Sequence, residues 1–118
     1  MDEPPDPNAA VVRKFRMRPE RAQALVRAIA ADTGKVIIGD HAKRRMEERE
    51  ISDIEVYRLL QTGHVMEEPY QTEHKEWKCK VTKKLKGNRE AGVVTIILKT
   101  GMLFAQTVEW EDLQGASR

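Results

Sequence analysis

The hydrophobic positions in the first part of the chain recur at the spacing of an α-helix. Pro19 suits the first turn of such a helix, because the N–H that proline lacks would have no partner there. Apolar residues follow at helical spacing until Gly34, and they are Ala22, Leu25, Val26 and Ile29. This pattern predicts a helix with one face packed on the core. The short β-branched segment 35–38, which ends at Gly39, predicts a strand or an extended lead-in.

Two more helices are predicted before residue 64. Asp40 suits the N-cap of the first of them. The apolar residues of this helix are Ala42 and Met46.

Ser52 and Glu55 have the spacing of a capping box, which predicts the start of the next helix, and Gly63 is predicted to end it in the left-handed conformation. Its buried stripe consists of Val56, Leu59 and Leu60.

After residue 63 the pattern changes from helical to alternating. Val65 and its neighbours are expected to form a short strand, and the segment 77–82 is the clearest alternation of apolar and polar residues. Turns at residues 87–88 and 100–101 separate two β-rich segments, 91–99 and 102–110. Residues 93–98 are apolar on both sides, which predicts the central strand. The pattern favours an α+β fold in which two to three N-terminal helices pack on one face of a three- to four-stranded antiparallel sheet.

Length and composition predict a single domain. The chain has 118 residues, of which 40% are hydrophobic and 34% charged. Residues 1–10 are proline-rich and predicted to be a disordered tail, residues 11–112 form the α+β domain, and residues 113–118 are a loose C-terminus. No apolar run reaches the roughly 20 residues that span a membrane, and the acidic start does not resemble a signal peptide. We therefore expect a cytoplasmic protein without membrane contact.

Positive charge is concentrated in one segment of the chain. The formal net charge is only +2, yet residues 73–89 contain seven Lys or Arg against two acids. A basic patch of this kind suits a polyanionic ligand. It is equally typical of a solvated, lysine-rich hairpin, in which the lysines discourage aggregation at strand edges.

His41, Arg45 and Arg49 lie four residues apart, so a helix would place them in one row beside its apolar residues. Two arginines at this spacing repel each other by a few tenths of a kcal/mol. Either carboxylates such as Glu48 or Glu68 neutralise the row, or an anion binds there. Alone, His41 would more often bond a carboxylate or a carbonyl than act in catalysis.

The row has the residue types that metal-independent RNA cleavage requires. His41 can serve as general acid or base, because its unperturbed pKa of about 6.5 is close to working pH. Arg45 and Arg49 can bind phosphate with directed hydrogen bonds, and Lys78 and Lys80 would complete a cationic wall if their side of the strand faces the groove. No metal or cofactor is expected, because no His or Cys falls at a metal-ligand spacing. Cys79 is predicted to be a small core residue.

These residues resemble a known family. The run H41-A42-x-x-R45-M46-x-x-R49-x-I51, followed by a capped helix that ends at Gly63, is similar to a small bacterial domain with the signature H-A-x-x-R-M-x-x-R-x-I. The resemblance spans about residues 36–109, and members of that family are similar to RelE, BrnT and MqsR toxins of type II toxin–antitoxin systems. It implies an α+β fold, ribonuclease toxicity and a cognate antitoxin. By position it also implicates Thr107 in the last strand. The chain departs from the pattern in its N-terminal extension and in its acidic segment 109–112.

Our leading hypothesis is a metal-independent endoribonuclease toxin. Its partners would be RNA, with or without the ribosome, and the antitoxin. The catalytic candidates are His41, Arg45, Arg49, Lys80 and Thr107. The nucleic-acid-binding candidates are Lys43, Arg44, Lys78, Lys83, Lys84 and Lys86. The alternative is a non-catalytic regulatory protein, such as a phage-encoded inhibitor, that binds nucleic acid or protein with the same basic face.

Overall fold

The structure, a computed structural model, describes residues 16–112. Within this range, three α-helices precede most of a five-stranded sheet, which confirms the α+β class. The predicted tail at residues 1–10 and the predicted loose end at 113–118 lie outside the described residues. No helix within residues 16–112 has the length and apolar character needed to cross a membrane.

The three helices are α1 (Pro19–Ala30), α2 (Asp40–Arg49) and α3 (Asp53–Thr62). Proline stands at the start of α1 as predicted, but the helix ends at Ala30 rather than near Gly34. The residues between form a 3₁₀ turn, Thr33–Lys35, in which the Asp32 carboxylate accepts a hydrogen bond from the Gly34 N–H at 3.0 Å. This local bond gives the chain an alternative to continuing the helix.

The N-cap predicted for α3 is confirmed, whereas the one predicted for α2 is wrong by one residue. Gly39, not Asp40, is the N-cap of α2, and Asp40 is its first helical residue, where an acid still favours the positive end of the helix. The capping box of α3 is confirmed. Ser52 Oγ accepts from the Glu55 N–H at 3.2 Å, and the Glu55 carboxylate accepts from the Ser52 N–H at 2.9 Å.

Gly63 follows α3, but the predicted left-handed conformation is wrong. Its backbone is extended, with φ −78° and ψ −177°. The glycine is needed for close packing instead, because a Cβ there would lie 2.5 Å from the carbonyl oxygen of Leu59 and 2.8 Å from that of Thr82. The absent side chain lets the end of α3 lie directly against the sheet.

The five strands of the sheet are β1 (Val36–Ile38), β2 (Tyr70–Gln71), β3 (Trp77–Lys84), β4 (Glu90–Ile97) and β5 (Leu103–Trp110). Their order is β1-β5-β4-β3-β2, so β4 is central as predicted. Two details of the prediction are wrong. The sheet has five strands rather than three or four, and it is mixed, because β1 pairs with β5 in parallel.

The strand expected around Val65 is only an isolated bridge between His64 and Thr82, and β2 was not predicted. The turns at residues 87–88 and 100–101 are confirmed. Gly87, Asn88 and Gly101 all have positive φ angles there.

The helices cover one face of the sheet, and side chains on that face are buried. Examples from the three long strands are Cys79, Val81, Val93, Leu103 and Val108. Those on the opposite face are mostly exposed or partly buried, and we call this the open face. A bulge opposite Val94 and Thr95 adds one residue to β5, so that both Phe104 and Thr107 lie on the open face.

Candidate functional site

His41, Arg45 and Arg49 all lie on α2, in one row along the helix. The helix buries Ala42 and Met46 in the core, which leaves the row at the border between core and solvent. His41 is exposed, whereas the Arg49 side chain is only 23% exposed. Within residues 16–112 the His41 ring makes no hydrogen bond to another residue, so the expected carbonyl or carboxylate partner is not observed there.

Both arginines contact the same oxygen atom of Glu48. Arg45 Nη1 lies 2.7 Å from Glu48 Oε1, and Arg49 Nη1 lies 3.2 Å from that same oxygen. The hydrogen bond from Arg45 is the main cause that holds the pKa of Glu48 below its usual value. The Glu48 side chain is nevertheless 55% exposed. The two guanidinium groups therefore converge on one anionic oxygen that solvent can reach.

The other acid considered for this role pairs elsewhere. Glu68 accepts two hydrogen bonds from Arg16, at 2.6 and 2.7 Å. Among the described residues, Glu48 is thus the carboxylate that offsets the charge of Arg45 and Arg49. One carboxylate for two arginines leaves the row with a net positive charge.

Contacts with the end of the sheet fix the last turn of α2. The indole N–H of Trp110 donates to the carbonyl oxygen of Arg49 at 3.3 Å. Glu50, the next residue, has a left-handed backbone with φ 56° and ends the helix. Lys86, a predicted nucleic-acid contact, donates to the Glu50 carbonyl and lies 3.9 Å from Glu55. Its ammonium group therefore has a structural partner at this junction.

Lys80 and Thr107 lie on the open face, not on α2. They flank Val94 of the central strand, Lys80 on β3 and Thr107 on β5. Lys80 Nζ contacts both carboxylate oxygens of Glu111, at 2.9 and 3.2 Å. A groove of about 380 Å³ adjoins this ion pair. It is lined by His64, Met66, Glu67, Lys80, Thr82, Glu90 and Glu111.

The remaining cationic candidates are spread over both sides of the molecule. Lys43 and Arg44 are exposed on α2. Lys78 and Lys84 share the open face with Lys80, and Lys78 Nζ lies 5.8 Å from the ring centre of Tyr70. Successive side chains of a strand lie on opposite faces of the sheet, so Lys83, which precedes Lys84, lies on the helix-covered face of β3. The basic segment is thus not one continuous surface.

Cys79 is a core residue, as predicted. It is buried in β3, and burial raises the pKa of its thiol to about 11. A thiol with this pKa is protonated at neutral pH and is a poor nucleophile. In the part of the chain from 16 to 112, no three His, Cys, Asp or Glu side chains are grouped so that they could hold a metal ion.

The fold and this site define a small α+β domain with an arginine pair on a partly buried helix edge. Residues 38–108 match a protein family described as a domain of unknown function, DUF4258. The match covers more than half of the chain, and the protein therefore belongs to this family. No curated protein and no solved structure gave a match. The likeness to RelE-type toxins stays a prediction.

Proposed function

We propose that the protein is a metal-independent endoribonuclease, the toxin of a type II toxin–antitoxin system. His41 transfers a proton, and Arg45 and Arg49 bind the phosphate at the cleaved bond. Lys80 and Thr107 contact another part of the RNA strand, on the open face. The enzyme works in the cytoplasm, where RNA is its substrate, and a cognate antitoxin covers the site.

The convergence of the two arginines on a single oxygen of Glu48 is the observation that supports this proposal most strongly. A phosphate oxygen accepts the same charge-assisted hydrogen bonds as a carboxylate oxygen. Exposed ion pairs of this kind contribute little to stability, because solvent screens their charges. An RNA phosphate can therefore displace Glu48 at little cost and receive both arginines in the geometry that they already have.

The chemistry needs two proton transfers and a charge-stabilising pair. The ribose 2′-OH loses its proton and its oxygen attacks the adjacent phosphorus, while the 5′-oxygen of the next nucleotide leaves and takes up a proton. The products are a 2′,3′-cyclic phosphate and a free 5′-OH. His41 performs one of these transfers, and the arginines stabilise the extra charge on the phosphate oxygens.

The test is growth arrest on expression in a bacterial host. We expect the wild-type protein to stop growth and the His41→Ala and Arg45→Ala variants to lose this effect while they still fold. Arg58→Ala is the matched control, because Arg58 is an exposed arginine on α3. RNA binding that weakens steeply with salt, without cleavage, would favour the non-catalytic binding protein instead.

A further inference from the structure

A row of mostly apolar side chains crosses the open face from one edge of the sheet to the other. The strand register pairs Ile37 with Phe104, Phe104 with Ile96, Ile96 with Lys78, and Lys78 with Tyr70. Each of these five residues belongs to a different strand. Ile37 and Tyr70, at the two edges, are well exposed, and the three between them are partly buried. Five strands give this row a length of about 19 Å.

The row contains a positive charge and no carboxylate. Lys78 is its only charged residue, and its ammonium group lies 5.8 Å from the centre of the Tyr70 ring. The side chains in the row that offer a flat ring are Phe104 and Tyr70. Aromatic rings with nearby lysines on an open sheet are the usual means of holding unpaired RNA bases.

One end of the row reaches the start of α2. The Phe104 ring lies against Gly39, so closely that a Cβ on Gly39 would be 2.6 Å from ring atom Cζ. Gly39 is the N-cap of α2 and precedes His41 by two residues. Phe104 therefore connects the open face with the helix that carries His41, Arg45 and Arg49.

We propose that this row is a platform on which unpaired bases of the RNA stack, with Phe104 under the base nearest the phosphate held by α2. The inference rests on the proposed function, because it assigns the rest of the substrate to a surface beside the same site. It also explains how a single strand would be selected, since bases within a duplex cannot reach the rings.

The test is binding of a labelled 2′-O-methyl RNA 12-mer of mixed sequence, which 2′-OH attack cannot cleave. We expect Tyr70→Ala and Phe104→Leu each to weaken binding about tenfold, because loss of one stacked base costs that order of affinity. The matched control is Ile54→Ala on α3, because Ile54 is 60% exposed, as is Tyr70.

The outcomes separate this inference from the proposed function. Unchanged binding by Tyr70→Ala and Phe104→Leu, together with weaker binding by Arg45→Ala, would overturn the platform and leave the α2 site standing. If the wild-type protein does not bind the 12-mer, both ideas fail. A dimer that Tyr70→Ala dissociates without loss of RNA affinity would identify the row as a contact between copies of the chain, which also overturns the platform.

Discussion

At the residue scale, Glu48 decides whether Arg45 and Arg49 are open to a ligand. Its carboxylate oxygen contacts both guanidinium groups. The hydrogen bond from Arg45 lowers the pKa of Glu48, so the carboxylate stays ionised and keeps competing to lower pH than a free glutamate would. Glu48 is therefore expected to compete with phosphate for the two arginines at neutral pH and to limit the affinity for RNA there.

Glu48→Gln should bind RNA more tightly than wild type, by about two- to fivefold, which corresponds to the strength of an exposed ion pair. Fluorescence anisotropy with a labelled RNA at several salt concentrations measures this change. The matched control is Glu47→Gln, because Glu47 is an exposed neighbour on the same helix and loses the same charge. Weaker binding by Glu48→Gln would contradict the account, since it would mean that Glu48 holds the arginines in their binding positions.

At the element scale, the capping box makes the start of α3 sensitive to acid. The hydrogen bond from the Ser52 backbone N–H is the largest cause of the lowered pKa of Glu55. A carboxyl group with a lowered pKa in the folded state stabilises the protein above its unfolded pKa and loses that contribution as the pH falls. The stabilising effect of Glu55 is thus present at neutral pH and declines below about pH 4.5.

Urea unfolding at pH 7 and pH 3.5 tests this prediction. The free energy of unfolding of wild type should fall more steeply between the two pH values than that of Glu55→Gln, which keeps an oxygen acceptor but cannot titrate. Ser52→Ala should cost about 1 kcal/mol at pH 7, since it removes the other half of the box. An identical pH dependence in wild type and Glu55→Gln would show that Glu55 does not contribute in this way.

The elements whose formation depends on residues close together in the sequence were predictable from the sequence. The capping box is set by residues three positions apart, and the alternation of Cys79 and Val81 with lysines places β3 without further information. The parallel pairing of β1 with β5 was not predictable, because it joins segments more than sixty residues apart. The role of Gly63 was missed for the same reason, since its close contact is with the carbonyl of Thr82 in another element.

The candidate site shows the same division between local and distant contacts. The row of His41, Arg45 and Arg49 follows from helical spacing alone, and Glu48 was one of the acids that could pair with it. The hydrogen bond from Trp110 to Arg49 joins residues 61 positions apart. No sequence pattern in this chain signals a contact of that kind.

At the scale of the whole molecule, α2 connects two surfaces. The arginine pair lies along one side of this helix, and Phe104 of the apolar row packs against Gly39, its N-cap. The helices on the other side of the sheet supply the buried core that fixes both surfaces. A strand of RNA bound to both would place its phosphodiester at α2 and its bases on the sheet.

The most direct measurement is cleavage of a short RNA by the purified protein in the presence of EDTA. The comparison substrate has the same sequence, but every ribose is replaced by 2′-deoxyribose. The account predicts that the RNA is cut to products with 2′,3′-cyclic phosphate ends and that the deoxy copy stays intact. His41→Ala should reduce the rate by about a hundredfold or more, the usual contribution of a general acid or base. Cleavage that EDTA abolishes, or that the His41→Ala variant retains in full, would contradict it.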